Sequence, residues 1–363
     1  MKPHLLMMAG GTGGHIFPGL AVARALRERG WRVTWLGTPK GMEQTLVLQD
    51  LFPLHVIAFE GIVGRGIKPK LALPFRLFSA YRQARKLLSE LQPDVVMGMG
   101  GYPTVPGGLA ASNKGIPLVI HQSDAVAGLA NRCLAHFADR VLVGFDTVFE
   151  DVGSKRVVTG NPIRREFAQY DDPESRFAAR TGPLSMLLMG GSRGADAINK
   201  LLPSALALIP EDQRPVVTHQ AGKGSRDATL ALYESAQVNA SIVEFIDDSP
   251  RALAECDVFI GRSGASTVSE LAALGVASIL IPYPHHKDQQ QLHNAQVLEA
   301  VGAATVFNQP TLTKEALAAH ILSLTRETCL TMAKAALAVA KPMATSEICD
   351  VVEQLAANNG VAA

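Results

Sequence analysis

Cysteines are scarce in this chain, and their positions argue against a zinc-binding protein and against a disulfide-linked one. Only four occur among 363 residues, and none belongs to a C-x-x-C pair: Cys133, Cys256, Cys329 and Cys349. This spacing provides neither a zinc site nor a disulfide framework. We therefore expect a protein of the reducing cytoplasm.

Long apolar runs and the common nucleotide-binding motifs are also missing. No apolar stretch approaches the roughly 18 residues that a membrane-spanning helix needs. The first segment, MKPHLLMMAGG, leads directly into glycines and a charged helix, so we interpret it as a strand rather than a secretion signal. No G-x-x-x-x-G-K-[ST] occurs, and GGTGGH lacks the third glycine of G-x-G-x-x-G. These absences disfavour an ATPase and a simple dehydrogenase.

What the chain does contain indicates a large α/β protein. Its length exceeds the size at which a single core usually keeps growing, and 47% of the residues are apolar, so two domains with ample cores are expected. Short apolar runs alternate with helical patterns such as residues 20–29, which predicts parallel sheets. The predicted strands are residues 4–9, 32–36, 55–59, 94–98, 117–121 and 140–143, then 185–189, 215–219, 241–245, 257–260, 277–281 and 304–307. The segment 326–358 is predicted to be helical throughout.

The two halves of the chain resemble each other. DVVMGMGGYPTV, beginning at Asp94, aligns without gaps with DVFIGRSGASTV, beginning at Asp257, and LLMMAGGTGGH near the start is similar to MLLMGGSRGA. One supersecondary plan is therefore used twice. Two doubly wound domains facing each other would form a cleft, with glycine turns at the carboxyl ends of strands directed into it.

The stretch 257–294 shows what such a turn can bind. It is predicted to run strand, glycine turn, helix, strand and polar loop. The first amides of a helix have no partner inside it and the helix dipole is positive at that end, so the turn suits a phosphate group. Thr267 and Glu270 also fit an alternative interpretation, because Thr-x-x-Glu is the pattern of a capping box.

Eight segments together resemble one known family. AGGTGGHIFPGLAVA, GMGGYPTVPGGLAA, GLANR, GNPIR, GGSRGA, FIDD, GRSGASTVSE and HKDQQQLHNA occur in the order and spacing of the MurG family, over nearly the whole chain. That family comprises N-acetylglucosaminyltransferases of bacterial peptidoglycan synthesis. The resemblance implies a GT-B type α/β fold of two doubly wound, Rossmann-like domains facing across a cleft. Residues 1–163 would be the acceptor and membrane domain and 164–343 the UDP-sugar domain, with a helix over 344–363 packing back on the first.

The resemblance also implies an activity. The enzyme would move N-acetylglucosamine from UDP-N-acetylglucosamine to the 4-hydroxyl of undecaprenyl-pyrophosphoryl-MurNAc-pentapeptide with inversion, converting lipid I to lipid II. It would act peripherally at the cytoplasmic face of the inner membrane, in cell-wall biogenesis, cell shape and division, without a nucleic-acid partner. Two alternatives are a UDP-amino-sugar epimerase of the same architecture and a non-catalytic UDP-sugar sensor. Transfer that requires an acceptor distinguishes the three.

Family donor contacts correspond to a defined set of residues in this sequence. They are Thr12, Gly13, Gly14, Asp124, Arg164, Ser192, Ile246, Ala265, Ser266, Thr267, Val268, Ser269, Glu270, Gln290 and Gln291. By this resemblance Ile246 would offer backbone groups to uracil, Glu270 would accept from the ribose hydroxyls, and the two glutamines would contact the sugar. The amides after Gly264 would face the diphosphate. The family usually has an acidic residue after the histidine at 121, where this chain has Gln122, so a carboxylate role there is doubtful.

His15 is the predicted general base. Attack by a sugar hydroxyl needs a group that takes its proton, and a histidine with a free pKa of about 6.5 suits neutral pH. The alternative is that His15 only orients a loop or bonds the donor, in which case Asp124 and His121 are the next candidates. No D-x-D triplet occurs, the pair on which metal-dependent sugar transferases commonly hold their ion. We therefore expect neither a metal nor another cofactor, and full activity in excess chelator.

Charge is distributed unevenly along the chain. Residues 1–163 carry 18 basic and 11 acidic side chains, a net +7, whereas residues 164–363 carry 16 and 22, a net −6. Residues 61–86 hold seven Lys or Arg and no acidic residue, interleaved with large apolar side chains: Arg65, Ile67, Lys68, Lys70, Leu71, Leu73, Phe75, Arg76, Leu77, Phe78, Tyr81, Arg82, Arg85 and Lys86. Such a segment suits an anionic membrane surface. The alternative is an ordinary helix whose apolar stripe packs inward.

Overall fold

The computed structural model describes residues 2–11, 13–59, 72–190 and 195–360. The chain forms two compact units. The first comprises Met1–Ile163 together with Pro342–Ala363, and the second comprises Arg164–Lys341. No helix among the described residues is long and apolar enough to cross a membrane.

The described part of the first unit is built on a seven-stranded parallel sheet in the order β3-β2-β1-β4-β5-β6-β7. Its strands are β1 His4–Met8, β2 Arg32–Gly37, β3 Leu54–Val56, β4 Val95–Gly98, β5 Leu118–Gln122, β6 Arg140–Val143 and β7 Arg156–Val158. Its helices are α1 Gly13–Glu28, α2 Glu43–Gln49, α3 Leu73–Leu91, α4 Thr104–Asn113, α5 Leu129–Leu134 and the C-terminal α14 Ala344–Asn358. The central strands β1, β4 and β5 are buried at every residue, as expected where helices cover both faces of a sheet.

The second unit contains, among its described residues, a six-stranded parallel sheet in the order β10-β9-β8-β11-β12-β13. Its strands are β8 Ser185–Met189, β9 Val216–Gln220, β10 Ser241–Val243, β11 Val258–Gly261, β12 Ala277–Leu280 and β13 Ala304–Val306. Its helices are α6 Pro173–Ala178, α7 Asp196–Leu206, α8 Arg226–Ser235, α9 Ser249–Glu255, α10 Ala265–Leu274, α11 Gln290–Glu299, α12 Lys314–Ser323 and α13 Arg326–Ala338. Each unit is therefore doubly wound with its own core.

The predicted internal repeat is visible in the hydrogen bonds that join neighbouring strands. Asp94 accepts the amide of His4 on its carboxylate at 2.7 Å, and its own amide donates to the His4 carbonyl at 2.9 Å. Asp257 makes the same pair of bonds with Ser185, at 2.8 Å each. The two aspartates hence perform one task, which is to align the first strand of each unit with its neighbour.

The first helix is longer than the sequence predicted. We expected it over residues 20–29, but α1 begins at Gly13 and contains Pro18. Glycine and proline have poor helix propensity, yet close packing requires a glycine at position 19. A Cβ at Gly19 would lie 2.9 Å from the Trp35 ring, so glycine lets α1 approach β2 closely. Tertiary contact thus overrides local propensity.

The C-terminal prediction was wrong in one respect, since residues 326–358 are not one helix. Helix α13 ends at Ala338 and α14 begins at Ala344, with Pro342 between them. A proline cannot continue a helix, because it lacks the amide and disfavours helical geometry before it. Helix α14 packs against α1, where Arg29 contacts Asp350 at 2.6 Å and Glu353 at 2.8 Å.

The strand predictions needed three revisions, one of which is that β10 ends at Val243 rather than at residue 245. Strand β3 covers only Leu54–Val56, whereas the apolar run had suggested residues 55–59. Strand β7, Arg156–Val158, was not predicted. It is a three-residue edge strand, and so short a segment carries little periodic signal.

Candidate active site

His15 lies in the first turn of α1, directly after the glycine turn that follows β1. Its Nδ1 is 3.3 Å from the carbonyl oxygen of Gly10. Because a carbonyl can only accept, Nδ1 carries the proton and Nε2 keeps its lone pair. Burial lowers the pKa of His15, and the charge of Asp124 partly opposes that shift. The ring is therefore neutral near pH 7 and can take up a proton at Nε2.

His121, a reserve candidate for the base, is held in a different state. It is fully buried, its Nε2 lies 3.0 Å from the Gly160 carbonyl, and its Nδ1 is 3.4 Å from the Ser123 hydroxyl. Burial lowers its pKa to about 4. A histidine with both ring nitrogens engaged and no contact with solvent cannot receive a proton from a substrate.

Gln122 shapes the loop that carries Asp124. Its amide nitrogen donates to the carbonyls of Asp124 at 3.2 Å and Val126 at 2.9 Å. Its oxygen accepts from the Gly128 amide at 3.1 Å and the Asn131 side chain at 2.9 Å. Position 122 therefore supplies an amide that bonds the loop, and it does not supply a carboxylate. This side chain supports the loop, and the charge near His15 comes from Asp124.

Several of the predicted donor-binding residues lie around the glycine turn between β11 and α10. Helix α10 begins at Ala265, with Gly264 as its N-cap and no side-chain bond to the cap. The capping-box interpretation of Thr267 and Glu270 was therefore wrong, because they are the third and sixth residues of the helix. The first amides of α10 remain for a ligand.

Glu270 lies close enough to Arg164 for their charges to interact. Burial raises the pKa of Glu270 to about 7, and Arg164 opposes the shift. Arg164 donates to the Ser249 hydroxyl at 2.6 Å, and its guanidinium lies over the Phe167 ring at 5.1 Å. An acceptor such as Glu270, held near a fixed cation, suits a pair of neighbouring sugar hydroxyls.

The two predicted glutamines, Gln290 and Gln291, are the first two residues of helix α11. The oxygen of Gln291 accepts the Tyr283 amide at 2.9 Å, so its NH₂ group is the part that can contact a sugar hydroxyl. Gln290 donates to Asp288 at 3.0 Å. Gln289, just before the helix, has a φ of 49°, a left-handed conformation that turns the chain into α11.

Sequence reasoning missed the residues that join α10 to α11. The Ser263 hydroxyl donates to the Gln291 carbonyl at 2.6 Å, and the Asn294 side chain donates to the Ser263 carbonyl at 3.1 Å. Both side chains are fully buried. Their partners are about 30 positions away in the sequence, so no local pattern could have identified them.

The remaining predicted residues divide between the units. Gly13 and Gly14 are the first two residues of α1, and Asp124 is half-buried on the loop beyond β5. Ile246 is half-buried between β10 and α9. Within α10, Ala265 and Val268 are buried, whereas Ser266, Thr267 and Ser269 are partly exposed. Thr12 and Ser192 lie outside the described residues.

Two family models match the chain. The glycosyltransferase family 28 N-terminal domain matches residues 5–143, and the glycosyltransferase family 28 C-terminal domain matches residues 185–354. The chain belongs to glycosyltransferase family 28. The N-terminal model includes His15 and Asp124, and the C-terminal model includes the predicted residues of α10 and α11.

Relatives of this family 28 protein are similar over nearly its whole length. A Cupriavidus necator protein is 50% identical over 352 residues, which cover 97% of this chain and 98% of the relative. It is named UDP-N-acetylglucosamine–N-acetylmuramyl-(pentapeptide) pyrophosphoryl-undecaprenol N-acetylglucosamine transferase. Among solved structures, Acinetobacter baumannii MurG has a TM-score of 0.84 at 37% identity, covering 97% of this chain and all of that one. The predicted resemblance to the MurG family and the GT-B type fold are confirmed.

A second solved structure shares the fold alone. The UDP-GlcNAc 2-epimerase from Neisseria meningitidis, bound to UDP-GlcNAc, has a TM-score of 0.65 at 13% identity, and the match covers 98% of this chain and 100% of that one. Its likeness shows that the architecture is common to both enzyme classes. Membership of family 28 identifies this chain as a glycosyltransferase, as predicted.

Proposed function

We propose that this family 28 enzyme transfers N-acetylglucosamine from UDP-N-acetylglucosamine to the 4-hydroxyl of undecaprenyl-pyrophosphoryl-MurNAc-pentapeptide. The observation that carries the proposal is the 50% identity over 97% of the chain to a relative named for this reaction. The match spans 97% of this chain and therefore includes both units.

The donor is assigned to the second unit. The free amides at the start of α10 and the positive end of its dipole stabilise the diphosphate, whose negative charge increases as the sugar leaves. Glu270 accepts from the ribose hydroxyls, and Ile246 offers its backbone to the uracil. Gln290 and Gln291 contact the sugar from the first turn of α11.

His15 is the base in this proposal. The acceptor oxygen attacks the anomeric carbon from the face opposite the diphosphate, its proton passes to Nε2 of His15, and the bond between sugar and diphosphate breaks. A single displacement of this kind inverts the anomeric centre. Asp124 favours the imidazolium that forms, because its charge raises the pKa of His15.

The first unit is also assigned a membrane-facing surface on α3. Ala80, Ala84 and Leu88 form the inward stripe of this helix, whereas Phe75 is 80% exposed and Phe78 is 62% exposed. Arg82, Arg85 and Lys86 are exposed on the same helix. Two outward phenylalanines followed by cations favour an anionic lipid surface over the alternative in which all large apolar groups pack inward. Residues 60–71, which include Arg65, Lys68 and Lys70, lie outside the described residues.

The transfer is tested by following labelled sugar from UDP-N-acetylglucosamine to a lipid-linked muramyl acceptor. We expect label in the acceptor and release of UDP only when the acceptor is present. Conversion of the donor to its C2 epimer without acceptor would support the epimerase instead. Binding of the donor without any turnover, with acceptor present, would support the non-catalytic sensor.

A further inference from the structure

The turn between β4 and α4 contains two glycines whose missing side chains leave room for the base and for the group that orients it. Gly100 has a φ of 106° and Gly101 a φ of 86°, both in the region that favours glycine. The two residues belong to the GMGGYPTV segment, the partner of the GRSGASTV segment in the internal repeat. In the second unit the corresponding turn precedes α10 and presents backbone amides, whereas in the first unit it lies against His15.

Gly100 lies against the imidazole of His15. A Cβ at this position would be 2.8 Å from Cδ2 and 2.9 Å from Nε2 of the ring. A Cβ does not approach a non-bonded heavy atom this closely, so any side chain at position 100 would displace the ring from its present position. The edge of the ring that would be displaced includes the nitrogen that takes the proton.

Gly101 lies against the group that orients His15. A Cβ there would collide with the carbonyl oxygen of Gly10, which is backbone and cannot rotate away. That carbonyl is the acceptor for Nδ1 of His15, at 3.3 Å. Gly100 therefore leaves room for the ring, and Gly101 leaves room for the carbonyl that accepts its hydrogen bond.

We propose that Gly100 and Gly101 are positioning residues of the transfer reaction, which hold His15 with its proton on Nδ1 and with Nε2 directed to the acceptor hydroxyl. This inference rests on the proposed function of His15 as base. The glycines touch neither substrate in this proposal and act only through His15 and Gly10. Rate is sensitive to such placement, since an error of about 1 Å in a reacting group can cost on the order of 100-fold.

The test compares Gly100→Ala with Gly30→Ala. Gly30 also belongs to the first unit and has a φ of 90°, but no atom lies within 4 Å of its Cβ position. Both variants therefore place alanine at a positive φ, and only one of them crowds His15. We expect Gly100→Ala to lower kcat for sugar transfer by about 10- to 100-fold, with KM for the donor and the Kd for UDP unchanged. Gly30→Ala should remain within about twofold of wild type, because nothing at its Cβ position contacts the site.

A double-mutant cycle separates positioning from a general structural effect. If Gly100 acts through His15, Gly100→Ala should cost little further activity in a His15→Gln background. Equal losses in both backgrounds, or equal activity of Gly100→Ala and Gly30→Ala, would overturn the proposal. Full activity of His15→Gln would instead refute the base itself, so the two failures are distinguishable.

Two further measurements apply if the alanine variant does not fold. Asparagine adopts positive φ more readily than alanine, so Gly100→Asn and Gly30→Asn form a second matched pair with the same expected contrast. In addition, nitrogen chemical shifts of His15 in the wild-type protein report its tautomer directly. We expect the proton on Nδ1 at pH 7.5. A proton on Nε2 would overturn the proposal without any variant.

Discussion

At the scale of single residues, the structure distinguishes His15, the predicted base, from the next candidates, Asp124 and His121. His15 keeps one ring nitrogen without a proton, whereas both nitrogens of His121 are engaged inside the core. Asp124 influences His15 through its charge. The difference arises from burial and partners, neither of which residue type alone reveals.

Replacement of His15 by alanine should remove general-base catalysis. We expect kcat to fall by about 100-fold or more, the contribution usual for this kind of proton transfer. Binding of UDP should be nearly unchanged, because the residues assigned to its uracil, ribose and diphosphate in the proposed function lie in the second unit. The measurements are steady-state sugar transfer and calorimetric titration with UDP. If only donor affinity changed, the base would have to be another group, with Asp124 the first to test.

Glu270 should make binding of the ribose depend on pH. Its pKa is raised to about 7 by burial, so the carboxyl is largely protonated at pH 6 and ionised at pH 8. The ionised form accepts from two hydroxyls and bonds them more strongly. We expect the affinity for uridine to rise by up to about tenfold from pH 6 to pH 8. Uridine is chosen because it has no phosphate that titrates in this range.

The matched control for this prediction is Glu270→Gln. The amide does not titrate, so its affinity for uridine should be constant between pH 6 and pH 8. An equally steep pH dependence in the variant would assign the effect to another group.

At the scale of elements, helices with similar sequence signals have different tasks. Helix α10 begins without a side-chain cap, whereas α9 is capped by Asp248, whose carboxylate accepts the Arg251 amide at 3.0 Å. Helix α3 fully buries Ala80, Ala84 and Leu88, packs further leucines against the core in part, and exposes two phenylalanines. In the proposed function, the uncapped helix and the outward aromatic groups are where local stability is given up for binding.

Replacing Arg76, Arg82 and Arg85 of α3 with glutamate should release the protein from anionic vesicles. Each Lys or Arg near a lipid surface contributes about 1 kcal/mol of attraction, and the substitution converts that attraction to repulsion. Vesicle co-sedimentation at low salt measures the effect. Activity on a short-chain soluble acceptor should be retained, which shows that the variant is folded. Vesicle binding equal to that of wild type would contradict the membrane-facing assignment of α3.

At the scale of the whole molecule, each unit contains a buried neutral histidine that should make folding sensitive to acid. Burial lowers the pKa values of His121 in the first unit and His219 in the second to about 4. The unfolded chain binds these protons near pH 6.5, before the folded protein does. Stability should therefore be complete above pH 6.5 and fall as the pH decreases toward 4, by roughly 2 kcal/mol per histidine between pH 6.5 and 5.

His219→Gln provides the check. His219 bonds the Tyr233 hydroxyl at 2.9 Å and the Asn199 oxygen at 3.0 Å, so the variant should be less stable at every pH. Its urea midpoint should, however, decrease less between pH 7 and pH 5 than that of wild type. The same decrease in both proteins would show that the acid sensitivity has another source.

The sequence alone determined the features that repeat over short distances. Apolar runs of four to six residues predicted all but one of the described strands, and the glycine turn before residue 265 predicted where α10 begins. The eight ordered motifs identified the family. These signals are local, because strand period, helix period and turn chemistry each depend on neighbouring residues.

Only the tertiary structure decided how those segments are used. Helix α1 starts at Gly13 and packs on Trp35 through Gly19, and Gln122 supports its loop through four hydrogen bonds. The left-handed turn at Gly100 and Gly101 meets His15 only after β1 and β4 have paired. These contacts join residues up to about 90 positions apart. They form only when the sheet has assembled, so the pattern of neighbouring residues in the sequence does not predict them.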